Sequence, residues 1–170
     1  MSERKAIMEE RAALARGRLT LVVRDEDGVE QTTRRARNVV LQGGAELVAS
    51  LFSGAEGAKP IDTIAVGFAQ DGADVGATAL TPPPNGGIDP SALRSAVQKD
   101  DFAVVTDKDT RAVRVSVATV FKPTVELQDV TEAGLLAGER LYNQVVFEPV
   151  TLRPGQDVTF FWEIDFPFGH

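Results

Sequence analysis

Nine residues near the C-terminus constrain the fold of this chain more than any other stretch. In residues 158–166 (VTFFWEIDF), Val158, Phe160, Trp162, Ile164 and Phe166 fall on one side, and Thr159, Phe161, Glu163 and Asp165 fall on the other. A period of two belongs to a half-buried strand, because successive side chains point to opposite faces of a sheet. Just upstream, residues 141–150 (LYNQVVFEPV) read as a second apolar strand, and residues 151–157 (TLRPGQD) supply a Pro-Gly turn between the two. The single Trp sits here. The C-terminal region is therefore expected to be core, in a chain whose hydrophobic residues are invested in β packing.

The same alternation recurs upstream. Residues 18–24 place Leu19, Leu21 and Val23 on one face, and Asp27-Gly28 is a hairpin signal. Residues 29–37 return as a strand polar on both faces, which predicts a sheet edge or a surface ribbon. Residues 61–69 (IDTIAVGFA) read as a buried strand, and residues 102–106 and 124–136 as further strands. In residues 111–121, Val113, Val115, Val117, Thr119 and Phe121 share a face. The expected core is Val113, Val115, Val117, Phe121, Phe147, Phe160, Trp162 and Ile164.

Two helices are expected. Residues 41–52 carry Leu47, Val48, Leu51 and Phe52 at helical spacing. Residues 3–16 form an N-terminal helix, with Ser2 as N-cap and Gly17 just past its end. Its apolar stripe is thin, and a helix of about fourteen residues is marginal alone in water. Ile7, Met8, Arg11 and Leu14 are therefore expected to dock on another surface, and they are the candidate assembly residues. Residues 70–91, rich in Gly, Pro, Asp and Ala, form a long loop, a class of segment that is usually functional or mobile.

About eight strands that follow one another without intervening helices call for antiparallel pairing. The expected fold is mainly β: an antiparallel β-sandwich with Greek-key or jelly-roll connections, with a closed barrel as rival. The expected organisation is an N-terminal arm at 1–17 and one β domain at 18–170. A chain of 170 residues buries roughly 70% of its unfolded surface, enough for a core without disulfides or metals.

Composition narrows the function. There is no Cys, so thiolate nucleophiles, disulfides and Cys-ligated metals are excluded. The net charge is −7: residues 1–40 hold nine Lys/Arg against seven Asp/Glu, and the rest nine against eighteen. An acidic body repels nucleic acid, and the Arg34-Arg35-Ala36-Arg37 run reads as a solvated strand. No apolar run approaches the ~20 residues of a membrane span. The charged N-terminus lacks the apolar region of a secretory signal, so the expected site of synthesis is the cytoplasm. The sole His is His170, so neither a Ser-His-Asp triad nor a multi-His metal site is expected. Glu163 and Asp165 share a strand face about 7 Å apart along it, a spacing an acid–base pair tolerates. Acidic turn residues such as Asp25, Asp27, Asp71, Asp74, Asp107 and Asp109 match no EF-hand loop and read as turn formers. Gly43-Gly44 ahead of a helix reads as a backbone bend. No catalytic residue, cofactor or metal ligand is assigned.

One combination of motifs is more specific. Asn38-Val39-Val40 and Gly43-Gly44 precede the Leu-rich helix, and residues 61–67 (IDTIAVG) follow. Val130-Thr131-Glu132-Ala133-Gly134-Leu135 and the closing aromatic strand complete the order. Over residues 38–166 this pattern resembles small all-β structural proteins of tailed-phage virions: tail, tail-fibre or baseplate-associated proteins and their counterparts in contractile phage-like particles. The resemblance implies a non-enzymatic assembly subunit, a homo-oligomer or ring with other virion proteins as partners, and it carries over no active-site residue. A carbohydrate-binding or adhesin module is the alternative, although one Trp and one Tyr are a poor supply of aromatic platforms.

Overall fold

The computed structural model describes residues 16–169. The chain is mainly β and antiparallel: among the described residues, ten strands form one sheet that curls into a half-barrel, with one α-helix. The strands are β1 (Arg16–Arg24), β2 (Glu30–Val40), β3 (Thr63–Gly67), β4 (Arg94–Ala96), β5 (Phe102–Asp107), β6 (Ala112–Phe121), β7 (Leu127–Ala137), β8 (Arg140–Leu141), β9 (Asn143–Leu152) and β10 (Asp157–Pro167). Their order across the sheet is β4-β3-β7-β9-β2-β1-β10-β6-β5, with β8 paired to β7. The helix, α1, spans Gln42–Ser53, close to the expected 41–52. No helix among the described residues is long and apolar enough to cross a membrane.

The alternation in residues 158–166 sets the register of this half-barrel. β10 lies between β1 and β6, so Leu19, Trp162 and Val117 form one rung, and Leu21, Phe160 and Thr119 form the next. Every inward residue of β10 from Val158 to Ile164 is buried. Phe160 stacks on Trp162 with ring centroids 5.6 Å apart and meets the edge of Phe121 at 6.2 Å. A second layer of core comes from β3, β7 and β9, through Ile64, Val66, Val130, Leu135, Val145 and Phe147. Curling the sheet folds its inner face onto itself. One continuous core thereby does the work that two sheets do in the expected sandwich.

Several expectations change. Val113 and Val115, expected in the core with Val117 and Phe121, are only half-buried, because the inner face opens toward β5. Phe166 shares their face and is 36% exposed. β2 is not an edge strand: it sits between β1 and β9. It pairs with β9, however, only at Val39–Gln144 and Val40–Asn143. Beyond that point the two strands part, and β2 keeps the polarity of an edge. Arg34 bridges the gap, donating to the Glu148 carbonyl at 3.0 Å and the Pro149 carbonyl at 2.9 Å.

The N-terminal helix, with Ile7, Met8, Arg11 and Leu14, lies outside the described residues. Its expected end does not hold. Arg16 and Gly17 belong to β1, where Gly17 pairs with Asn38 on one side and Ile164 on the other. The first described strand thus begins inside the segment expected to be helical.

Candidate functional site

The two sequence candidates for acid–base chemistry, Glu163 and Asp165, lie on the convex face of β10. The register places Arg18 opposite Glu163 and Arg114 opposite Asp165. Arg18 Nε donates to Glu163 Oε2 at 2.5 Å. Arg114 forks onto Asp165, with Nε to Oδ1 at 2.7 Å and Nη2 to Oδ2 at 2.9 Å, and its Nη1 lies 3.5 Å from Glu163 Oε1. Hydrogen bonding to Arg18 holds the Glu163 carboxyl below its ordinary range, and hydrogen bonding to Arg114 does the same for Asp165. Arg114 is correspondingly raised. A general acid needs the opposite shift. The pair is brought together, but as a four-residue charge ladder across β1, β10 and β6.

The acidic turns bond their own backbones. Asp25 Oδ1 accepts from the N–H of Asp27 and of Val29, Asp74 Oδ1 from Gly76, and Asp107 Oδ1 from Asp109 and Thr110. This is turn chemistry. Among the described residues no cluster of three or more His, Asp or Glu side chains could hold a metal ion.

A polar cluster that sequence reasoning missed lies beneath the long loop. Glu132 on β7 and Asn143 on β9 are fully buried, with Gln144 of β9 almost as deep. Glu132 accepts from the Thr81 N–H through one oxygen and from Gln144 Nε2 through the other. Gln144 Oε1 accepts from the Asp74 N–H at 3.0 Å, and Asn143 Oδ1 from the Leu135 N–H at 2.7 Å. Space for the Glu132 carboxylate exists because its cross-strand neighbour is Gly67, where a Cβ would come within 2.4 Å of Glu132 Oε1. The loop is also held by backbone bonds from Gln42 to Val75 and from Phe68 to Thr81. Leu80 and Ala77 pack against the small cluster of Leu41, Ala65, Leu136 and Leu141. Residues 70–91 are thus stitched to the sheet at several points, through Glu132 to Thr81 and through Gln144 to Asp74, while the Asn143 Nδ2 is buried without a hydrogen-bond partner.

Gly43-Gly44 has a packing role. A Cβ on Gly44 would fall 2.0 Å from the Tyr142 carbonyl oxygen, so the glycine lets α1 lie directly on the backbone between β8 and β9. The helix turns Leu47 inward and leaves Val48, Leu51 and Phe52 in solvent, the last 95% exposed.

One depression, of about 810 Å³, is an open groove between residues 68–72, the Pro84-Asn85 turn, residues 128–131 and residues 146–149. Phe68 and Phe147 form its floor, Asp71, Asp129 and Glu148 its rim. Asp129 sits at φ 55, at an irregularity in the β7–β9 pairing. The lining holds three carboxylates and no Lys, Arg, His, Ser or Cys side chain. Trp162 and Tyr142, the residues a sugar platform would draw on, are both in the core. No family model matches the chain, and neither does any curated protein or solved structure.

Proposed function

We propose that the chain is a non-enzymatic structural subunit that works through protein–protein assembly, in a phage tail, baseplate or related phage-like particle. The observation that carries this reading is α1. Val48, Leu51 and Phe52 line the solvent face of a helix whose other side is packed, and they are 42%, 44% and 95% exposed. Large apolar groups grouped on one rigid element mark a contact surface more often than isolated exposed residues do. A second copy of the chain is the occupant we assign to it, giving a homo-oligomer or ring of the kind the sequence resemblance implies. The remaining polar groups support the same reading: the convex-face carboxylates Glu163 and Asp165 are paired with arginines, and the buried Glu132 is bonded to Thr81 and Gln144.

The test is composition. Phage-like particles purified from a source that encodes the chain should contain it at a fixed ratio to the other particle proteins, resistant to salt washing. Intact, functional particles that lack it would remove the reading.

A further inference from the structure

The strand order has two ends, and they are finished differently. β4, at one end, is three residues long and carries Arg94, which forks onto Glu139 at 2.7 and 2.9 Å. A short, charged edge of this kind resists pairing with another chain. β5, at the other end, pairs with β6 over all six of its residues without a bulge. Its sequence, FAVVTD, has no Pro, no Gly and no charge before Asp107. Among the described residues no second strand and no loop bonds its outer edge. Val104 is 66% exposed and Val105 60%, one on each face of the sheet. A regular, uncharged edge with unpaired N–H and C=O groups is a template for a further strand.

The sequence around β5 indicates which strand fits it. Residues 99–109 read KDDFAVVTDKD. Laid antiparallel against itself about Val104, this segment sets Val104 on Val104, Ala103 on Val105 and Phe102 on Thr106, with each pair on one face of a continued sheet. Further out, the same register brings Lys99 to Asp109 and Asp100 to Lys108 of the second copy. All four side chains are exposed, and none is in an ion pair among the described residues. Asp101 and Asp107 also meet, but each carboxylate is turned to its own backbone. Asp101 Oδ2 accepts from the Gln98 N–H at 2.7 Å, and Asp107 Oδ1 accepts from the N–H groups of Asp109 and Thr110. An axis through Val105 instead would set Lys99 on Arg111, Asp101 on Asp109 and Phe102 on Lys108. Charge complementarity therefore selects Val104. On the concave side, the half-covered Val113, Val115 and Phe166 beside Val104 then run on into the same residues of the second copy.

We propose that β5 is a homodimer interface: it pairs antiparallel with β5 of a second copy about a twofold axis through Val104. Lys99 and Asp100 of each copy meet Asp109 and Lys108 of the other. This contact is separate from α1, which carries the assembly reading, and it adds a second self-contact with a defined register.

The absence of Cys permits a direct test in the full chain. Cβ atoms directly opposite on antiparallel strands lie about 4.5–5.5 Å apart, and diagonal ones about 7–8 Å. A disulfide needs the shorter spacing. Under mild oxidation, Val104→Cys should give a disulfide-linked dimer at least about tenfold faster than Val105→Cys or Val120→Cys. Val120 is exposed on the convex face, outside the β5 pairing. Ala103→Cys mixed with Val105→Cys should give the heterodimer as main product. Equal rates for the three single variants, or fastest cross-linking at Val105→Cys, would overturn the proposal. Phe52→Ser should leave the Val104→Cys rate unchanged; loss of the cross-link there would assign the dimer to α1 and equally overturn it. In a dilution series without oxidation, Lys108→Asp should raise the dimer dissociation constant at least about tenfold, and adding Asp100→Lys should restore it. An unchanged constant in the single variant, or no restoration in the double, would contradict the register.

Discussion

A carboxylate stripped of water persists in a fold only when donors meet its oxygens. Glu132 satisfies that condition through Thr81 and Gln144, and the site depends on both the carboxylate and the missing side chain at Gly67. Glu132→Leu should destabilise the protein by about 2–4 kcal/mol in urea unfolding, since it orphans the part-buried Thr81 N–H and the buried Gln144 carboxamide. Gly67→Ala should cost about 1–3 kcal/mol through overpacking against the same carboxylate. Loop residues 74–81 should lose protection from amide exchange before the rest of the sheet does. The sequence holds no trace of this cluster, because Glu132 meets partners 51 and 12 residues away and looks like any glutamate in an apolar run. Trp162 and Phe160 were legible for the opposite reason. Their burial follows from a local period of two, and Trp162→Ala should cost about 3–5 kcal/mol.

Strands and helices carry the next set of consequences. β1, β10 and β6 share a convex face on which Arg18, Glu163, Arg114 and Asp165 form their ladder. Because the folded-state pKa values of Glu163 and Asp165 lie below their ordinary 4.5 and 3.8, the ladder stabilises the fold above those values. The contribution is lost as pH falls through the folded values. The arginines are partly exposed, so the whole contribution is small, about 1 kcal/mol. Arg114→Ala should therefore flatten the acid side of the stability–pH curve below about pH 5 and leave the neutral-to-alkaline slope unchanged. Urea midpoints measured across the pH series provide the check. The polarity of β2 was read correctly from the sequence, but its place in the sheet was not. A strand whose neighbour pairs for two residues and then departs looks like an edge along most of its length. Arg34→Ala should cost about 1–2 kcal/mol by leaving the Glu148 and Pro149 carbonyls without their cationic donor. Arg34→Lys should recover only part of that, lacking the planar fork. α1 was placed within a residue of its ends because its spacing is local, whereas the Tyr142 contact that makes Gly44 necessary is not.

At the level of the whole molecule, the sheet curls but does not close. β4 and β5 remain the two ends of the strand order, and apolar groups are left uncovered near β5 and on α1. The amount of β structure and its antiparallel sense were written in the alternating segments and short turns. The half-barrel was not, since the order of strands rests on pairings such as Val39 with Gln144 that join residues far apart in the chain. Phe52→Ser should leave the urea midpoint nearly unchanged, because the ring touches almost nothing within the chain, and should weaken self-association. The most direct measurement of the central claim is the mass of the unmodified chain by light scattering across the micromolar range. The account predicts a discrete multiple of 18.2 kDa that persists on dilution. A species of 18.2 kDa at every concentration would contradict it.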